Sequence, residues 1–201
     1  DALADRVATR RDLDARVTEA IRTVPRHEFV PAERREHAYA DRPLPIGDDQ
    51  TISAPHMVAV MADALDLRDG ESVLEIGTGC GYHAAVTAEL VGPANVYSVE
   101  YLADLAANAR ETLDDTGYDD VHVHRGDGHD GWLEHAPYDA AYLTCAASDV
   151  PAPVLDQTRP GGRVVAPVGD ASQELVCVRV LDAEADERTH LGRVRFVPMQ
   201  G

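Results

Sequence analysis

A mostly parallel β-sheet covered by helices on both faces is the fold this sequence predicts, and two observations carry the prediction. Between residues 72 and 167, short apolar runs alternate with longer segments of helical period, the pattern of βαβ units. Within that stretch Val73-Leu74-Glu75-Ile76 leads into Gly77-Thr78-Gly79-Cys80-Gly81 and then into a helix. A strand, a glycine-rich turn and a helix in that order open a nucleotide-binding unit. A length of 201 residues suits one domain with a sizeable core.

The elements follow in order. Leu13, Val17, Ile21 and Val24 recur at helical spacing, so a first helix is expected over 12–23, ended by Pro25. Residues 31–39 read as a short second helix and 40–54 as a loop rich in Pro, Gly and Asp. A third helix starts near Pro55, with Val58, Met61 and Leu65 on one face. Strands are expected at 72–76, 95–99, 121–124, 139–144 and 162–167, and helices at 81–91, 101–116 and 151–158. Gln173–Leu181 and Gly192–Pro198 read as a late hairpin about an acidic turn at 182–190. The order of the last strands stays open. The single domain divides into an N-terminal helical and substrate-loop extension (1–70), a cofactor-binding core (71–168) and C-terminal strands (169–201).

Composition narrows the setting. Asp and Glu total 36 against 18 basic residues, for a formal charge of −18, and every basic residue is Arg. Hydrated carboxylates without Lys suit a protein that stays soluble in molar salt, where their repulsion is screened. A halophile with high internal salt is the expectation. Nucleic acid is not an expected partner, because phosphate binding needs clustered cations and these Arg residues are scattered. Cys80, Cys145 and Cys177 read as reduced thiols of a cytoplasmic protein. No apolar run is long enough to span a membrane, and no signal peptide is evident. His122 and His124 share a strand face without a third ligand, so no metal is expected.

The glycine turn reads Glu-x-Gly-x-Gly-x-Gly, not the Gly-x-Gly-x-x-Gly of dinucleotide sites. An acid two places before the first glycine is what S-adenosylmethionine-dependent methyltransferases show, with the carboxylate near the amino acid end of the cofactor. A second acid, about 20 residues on, would hold the ribose hydroxyls, and Val96-Tyr97-Ser98-Val99-Glu100 supplies it. Asp127, in Gly126-Asp127-Gly128 after the third strand, would accept from the adenine amino group. After the fourth strand Thr144-Cys145-Ala146-Ala147 lacks the Asn/Asp-Pro-Pro-aromatic turn of amino-methylating enzymes. Cys145 reads as a small buried residue. The loop Leu44–Gly47 and Gln50–His56 would fold over the site, its hydroxyls toward substrate. Ser53 also suits a helix cap.

Over nearly its whole length the chain resembles the protein-L-isoaspartate O-methyltransferase family. The stretches that carry the resemblance include Val24-Pro25-Arg26-His27-Glu28-Phe29-Val30-Pro31, Ala38–Gly47, Gln50-Thr51-Ile52-Ser53-Ala54-Pro55-His56-Met57, Leu74–Tyr82, Gly126–Gly128, Ala136–Asp139 and Arg195-Phe196-Val197-Pro198. Asp48-Asp49 departs from the family's usual Gly before Gln. The resemblance implies a Rossmann-like, class I S-adenosylmethionine-dependent methyltransferase with late antiparallel strands. It implies S-adenosyl-L-methionine as cofactor, isoaspartyl residues of damaged proteins and peptides as substrates, and a monomer. It places Ser53 in catalysis and Pro45, Ile46, Thr51, Ile52, Ser53 and Val197 against substrate. Around the cofactor it places Gln50, Thr51, Ile52, Ser53, Glu75, Gly77, Thr78, Gly79, Gly81, Tyr82, Glu100, Tyr101, Asp127 and Gly128. Two other readings fit the same motifs: a carboxyl or hydroxyl methyltransferase of another peptide or metabolite, and a non-catalytic S-adenosylmethionine-binding protein.

Overall fold

The computed structural model describes residues 2–8, 13–181 and 186–201. A helical N-terminal part comprises α1 (Ala2–Ala8), α2 (Ala15–Thr23) and α3 (Pro55–Leu65). Between α2 and α3 lies a small antiparallel hairpin of β1 (Leu44–Gly47) and β2 (Gln50–Ile52). Then come β3 (Val73–Ile76), α4 (Tyr82–Val91), β4 (Val96–Glu100), α5 (Ala103–Asp115), β5 (His122–Arg125), β6 (Tyr138–Leu143) and α6 (Ala152–Asp156). The chain closes with β7 (Thr158–Val168), β8 (Gln173–Arg179) and β9 (Glu187–Val194).

The seven-stranded sheet runs β5-β4-β3-β6-β7-β8-β9. Its first five strands are parallel and the last two antiparallel. The chain leaves β3 toward β4 on one side and returns to β6 on the other, so a ligand crevice is expected outside the carboxyl ends of these strands.

Alternation along each strand sends side chains to two cores. Val73, Val96, Tyr142 and Val165 face the layer of α1 to α4, with Ile21, Val58, Met61 and Val86. Leu74, Ile76, Val99, Leu143, Val164 and Val176 face the other side, with Val154 of α6. This parity also turns Glu75 inward, level with Ser98 on β4 and Tyr142 on β6.

Four expectations change. Residues 31–39 form no α-helix; Arg26–Phe29 and Ala32–His37 are 3-10 turns. The loop at 40–54 contains the β1–β2 hairpin, whose two-residue turn puts Asp48 at φ 50° and Asp49 at φ 57°, the mirror-image geometry that matches strand twist. The fifth parallel strand is longer than expected and takes over the end of the expected 151–158 helix. The last strand is Glu187–Val194, not 192–198. Its residues at 187–190 are polar on both faces and exposed, so an edge strand left no apolar alternation to read. Residue 12 of the expected first helix and residues 182–185 of the acidic turn lie outside the described residues. Helix α1 was not anticipated.

Candidate active site

The carboxyl ends of β3, β4 and β6 face the β1–β2 hairpin and the tail that follows β9. Between them lies a cleft of about 530 Å³, counting its open mouth. Ile76, Val99, Leu105 and Met199 make it apolar, Gly77 and Gly79 line its turn side, and Glu100 and Tyr101 close one end. The tail is held by two hydrogen bonds to the segment after β6: Ala146 N–H to Val197 O, and Met199 N–H to Ala146 O, each 2.8 Å. Bare backbone is required at two points. Gly77 has φ +95° and a Cβ there would run into Thr144 Oγ1; a Cβ on Gly128 would collide with Ile76 Cγ2 and lie 2.9 Å from Met199 Cε. An apolar slot, two side-chain-free walls and a carboxylate at the end of β4 fit an adenosyl group with its ribose.

Glu100 is held by two backbone donors. Its Oε2 accepts the Gly79 N–H at 2.8 Å and its Oε1 the Leu102 N–H at 3.0 Å. The carboxylate therefore pins the glycine turn to the start of α5 and faces the cleft with its remaining lone pairs.

Glu75 is fully buried and does not line the cleft. Ser98 Oγ and Tyr142 OH donate to its two oxygens. Thr78 Oγ1 bonds Ser98 Oγ at 2.6 Å, and Thr87 Oγ1 bonds Tyr142 OH at 2.9 Å. The His83 ring packs on Tyr142 at 4.3 Å between centroids. Burial pushes the Glu75 carboxyl up to about 8, against the pull of its two donors. Burial alone pushes the His83 imidazole down to about 3. This network sits beneath the glycine turn and ties β3, β4, β6 and α4 together.

A second cavity, about 600 Å³ with its open mouth, adjoins the first. Ser53, His56, Met57, Arg195 and Phe196 line it, and it shares Thr51, Thr144 and Val197 with the cleft. Ala54, not Ser53, is the N-cap of α3, without a side-chain cap bond. Among the described residues neither the Ser53 hydroxyl nor the Arg195 guanidinium has a hydrogen-bond partner.

The structure thus gathers Ile46, Gln50, Thr51, Gly77, Gly79, Glu100, Tyr101, Gly128 and Val197 around the cleft, and Thr51, Ser53 and Val197 around its neighbour. The side chains of the other expected site residues lie elsewhere. Ile52 is 3% exposed and packs in the core, because strand parity turns it inward. Pro45, on the opposite face of β1 from Leu44, is exposed outside both cavities. Thr78 bonds Ser98, and Gly81 closes the turn against Leu113. Tyr82 is buried with the Arg26 guanidinium 4.6 Å over its ring. The Asp127 carboxylate turns back to the His129 N–H at 2.9 Å, a bond that holds it below the usual carboxylate range. Cys145 is not fully buried; it lines the cleft, and burial of its thiol pushes it up to about 12, so it is no thiolate nucleophile. Thr144, Met199 and Arg195 were not anticipated in the site; His56 was expected only as part of the loop over it. Arg195 comes from the tail, 142 positions beyond Ser53 by number (195 − 53), and no local motif marks that approach. Among the described residues no group of side chains could hold a metal ion, and no helix is long and apolar enough to cross a membrane.

Fold and cleft together define a class I S-adenosylmethionine-dependent methyltransferase. The comparisons narrow the class. Residues 2–201 match the profile of the protein-L-isoaspartate(D-aspartate) O-methyltransferase family. The whole chain is 52% identical to protein-L-isoaspartate O-methyltransferase 2 of Archaeoglobus fulgidus, covering 92% of it. Over 92% of its length it is 54% identical to the corresponding enzyme of Methanothrix thermoacetophila, covering 88% of that protein. Among solved structures, a protein-L-isoaspartate O-methyltransferase superposes on all of this chain with a TM-score of 0.91 at 28% identity. This chain covers 65% of that one. A putative relative from Plasmodium falciparum, in complex with S-adenosyl-L-homocysteine, shares the fold at a TM-score of 0.83 and 22% identity, over 99% of this chain and 97% of its own. The chain belongs to the protein-L-isoaspartate(D-aspartate) O-methyltransferase family.

Proposed function

We propose that this enzyme moves a methyl group from S-adenosyl-L-methionine in the first cleft to the free carboxylate of an L-isoaspartyl residue in the second cavity. The observation that carries the reading is the common wall: Thr51, Thr144 and Val197 line both spaces, so a donor and an acceptor would meet there. When bound, the cofactor supplies a methyl group activated on a sulfonium. Glu100 would hold the ribose hydroxyls, while Ile76, Val99, Leu105 and Met199 exclude water from the purine.

An ordinary carboxylate, with a pKa of about 4, is already ionised at neutral pH, so the acceptor needs no general base. What the chain provides is position and dryness. The Ser53 hydroxyl donates to the acceptor carboxylate and aims one oxygen at the common wall. A neutral donor orients the nucleophile without pairing its charge away. One cation, Arg195, lines this cavity together with His56. In the methylated product the ester is a better electrophile than the carboxylate; the neighbouring peptide nitrogen attacks it, gives up its proton and expels methanol, closing a succinimide without further help from the protein.

The test is methyl transfer to paired peptides that differ only in an isoaspartyl or aspartyl residue. Labelled methyl, released as methanol on mild base, should appear with the isoaspartyl peptide and stay near background with its partner. Equal labelling would favour a broader carboxyl methyltransferase, and cofactor binding without labelling a non-catalytic protein.

The reading extends to the setting. Damaged proteins and peptides are the partners, the enzyme works as a monomer in the cytoplasm, and the absence of Lys beside 36 acids supports a salt-rich interior. A melting temperature that climbs from dilute buffer into molar KCl is the expected signature; a flat profile would remove the halophilic part alone.

A further inference from the structure

Asp41 lies before the β1–β2 hairpin and His56 in the first turn of α3. The Asp41 side chain is 7% exposed. Its Oδ1 accepts two bonds from His56: the backbone N–H at 3.0 Å and ring Nδ1 at 2.8 Å. An ionised carboxylate only accepts, so Nδ1 carries the proton, and in the neutral ring Nε2 is left with a lone pair. The His56 side chain keeps 34% of its surface exposed and lines the cavity of Ser53 and Arg195. The support extends inward. Arg26, buried over Tyr82, donates from Nε to Ala38 O at 2.8 Å, on the segment that leads into Asp41. The Asp41–His56 pair is therefore built on the segment that precedes the hairpin and aimed at the acceptor site.

We propose that His56 is a substrate-positioning residue whose Nε2 accepts the peptide N–H of the isoaspartyl residue, with Asp41 fixing the ring. The inference deepens the reading of this cavity as the acceptor site and rests on it. Its chemistry is one of spacing. In an isoaspartyl residue the free carboxylate and the amide N–H share one carbon. In an aspartyl residue a methylene separates the N–H-bearing carbon from the carboxylate. A donor for the carboxylate, Ser53, and an acceptor for the N–H, His56, on one cavity wall read that shorter spacing. The pair thereby contributes to the choice of isoaspartate over aspartate.

Two variants separate this role from a structural one. His56→Asn keeps a donor near the Nδ1 position for Asp41 but has no atom at Nε2; His56→Gln places an acceptor oxygen near Nε2. His56→Asn should raise KM for an isoaspartyl peptide by about five- to ten-fold, the effect of one hydrogen bond. It should also narrow the ratio of kcat/KM between isoaspartyl and aspartyl peptides. Calorimetric affinity for S-adenosylhomocysteine and the melting temperature should stay unchanged. His56→Gln should restore part of the loss. An unchanged KM in His56→Asn overturns the proposal. If His56→Asn fails to fold, the same peptide KM and selectivity measurements on His56→Ala decide. Absence of isoaspartyl methylation by the unaltered enzyme would instead sink the functional reading, and this inference with it.

Discussion

The two halves of the site are prepared in opposite ways. On the cofactor side the two carboxylates are already engaged. Glu100 holds the Gly79 and Leu102 N–H groups, and Glu75 is wired to Ser98 and Tyr142 beneath the turn. On the acceptor side the Ser53 hydroxyl and the Arg195 guanidinium have no hydrogen-bond partner among the described residues. A cofactor of constant shape rewards a mould set in advance. A damaged segment arrives in many sequence contexts, and open donors can settle on whatever carboxylate it offers. His56, tied to Asp41, and Thr144, whose hydroxyl donates to Gly77 O, depart from this on the acceptor side.

The contrast predicts that breaking the mould costs most. Glu100→Ala removes the carboxylate proposed to hold the ribose and also frees the two N–H groups that shape the turn. A charge-assisted hydrogen bond contributes about 1.5–3 kcal/mol, so calorimetric affinity for S-adenosylhomocysteine should fall roughly ten- to a hundred-fold. The peptide KM, measured at saturating cofactor, should barely move. Affinity within two-fold of the unaltered protein would show that the strand end is not the ribose site.

For Ser53 the loss should appear in turnover and not in cofactor affinity or stability. Ser53→Ala should lower kcat on an isoaspartyl peptide by about ten-fold, as expected for one donor to a carboxylate. Cofactor affinity should be retained, and raising the pH should not rescue the rate, since no base is involved. Because Ala54 is the cap residue and Ser53 makes no cap bond, the melting temperature should hold. A variant that melts earlier but turns over normally when folded would return Ser53 to a structural role and shift attention to Thr51.

The same contrast explains what the sequence made legible. The cofactor side is local: Glu75 to Tyr82 and Val96 to Glu100 are short runs whose strand, glycine and acid pattern reads directly. Even there the pattern located Glu75 without its direction. Parity along β3 and the cross-strand register with Ser98 and Tyr142 turn its carboxyl into the core, and register is set by tertiary pairing. The acceptor side joins Asp41, Ser53, His56, Thr144 and Arg195 from distant segments. Of these, Ser53 was found through a family stretch. His56 was seen near the site but without its partner, and Arg195 was not seen there because nothing local announces that the tail returns to Ala146. The β1–β2 hairpin was hidden for another reason: its turn uses Asp48-Asp49 rather than a glycine, so it read as loop.

The smallest expected effect tests the buried half of the mould. A carboxyl held at about 8 in the folded chain, against 4.5 when unfolded, keeps a proton that the unfolded chain gives up between those values. Stability from this group therefore falls as pH rises from 4.5 to 8, by at most about 1.4 kcal/mol per unit. His83 acts with the opposite sign at lower pH. Held at about 3, against 6.5 when unfolded, it stays neutral while the unfolded chain protonates, so stability falls as pH drops from 6.5 to 3. The two oppose each other between 4.5 and 6.5, which leaves pH 6.5 to 8 as the window where Glu75 acts without His83. Glu75→Gln keeps the side-chain shape and removes the ionisation. Urea unfolding at pH 6.5 and 8.0 should show the unaltered protein losing about 1 kcal/mol more than Glu75→Gln across that interval. Parallel losses would mean that Glu75 is ionised under the turn, that Ser98 and Tyr142 suffice to hold its charge, and that a negative rather than a neutral group backs the cofactor side of the site.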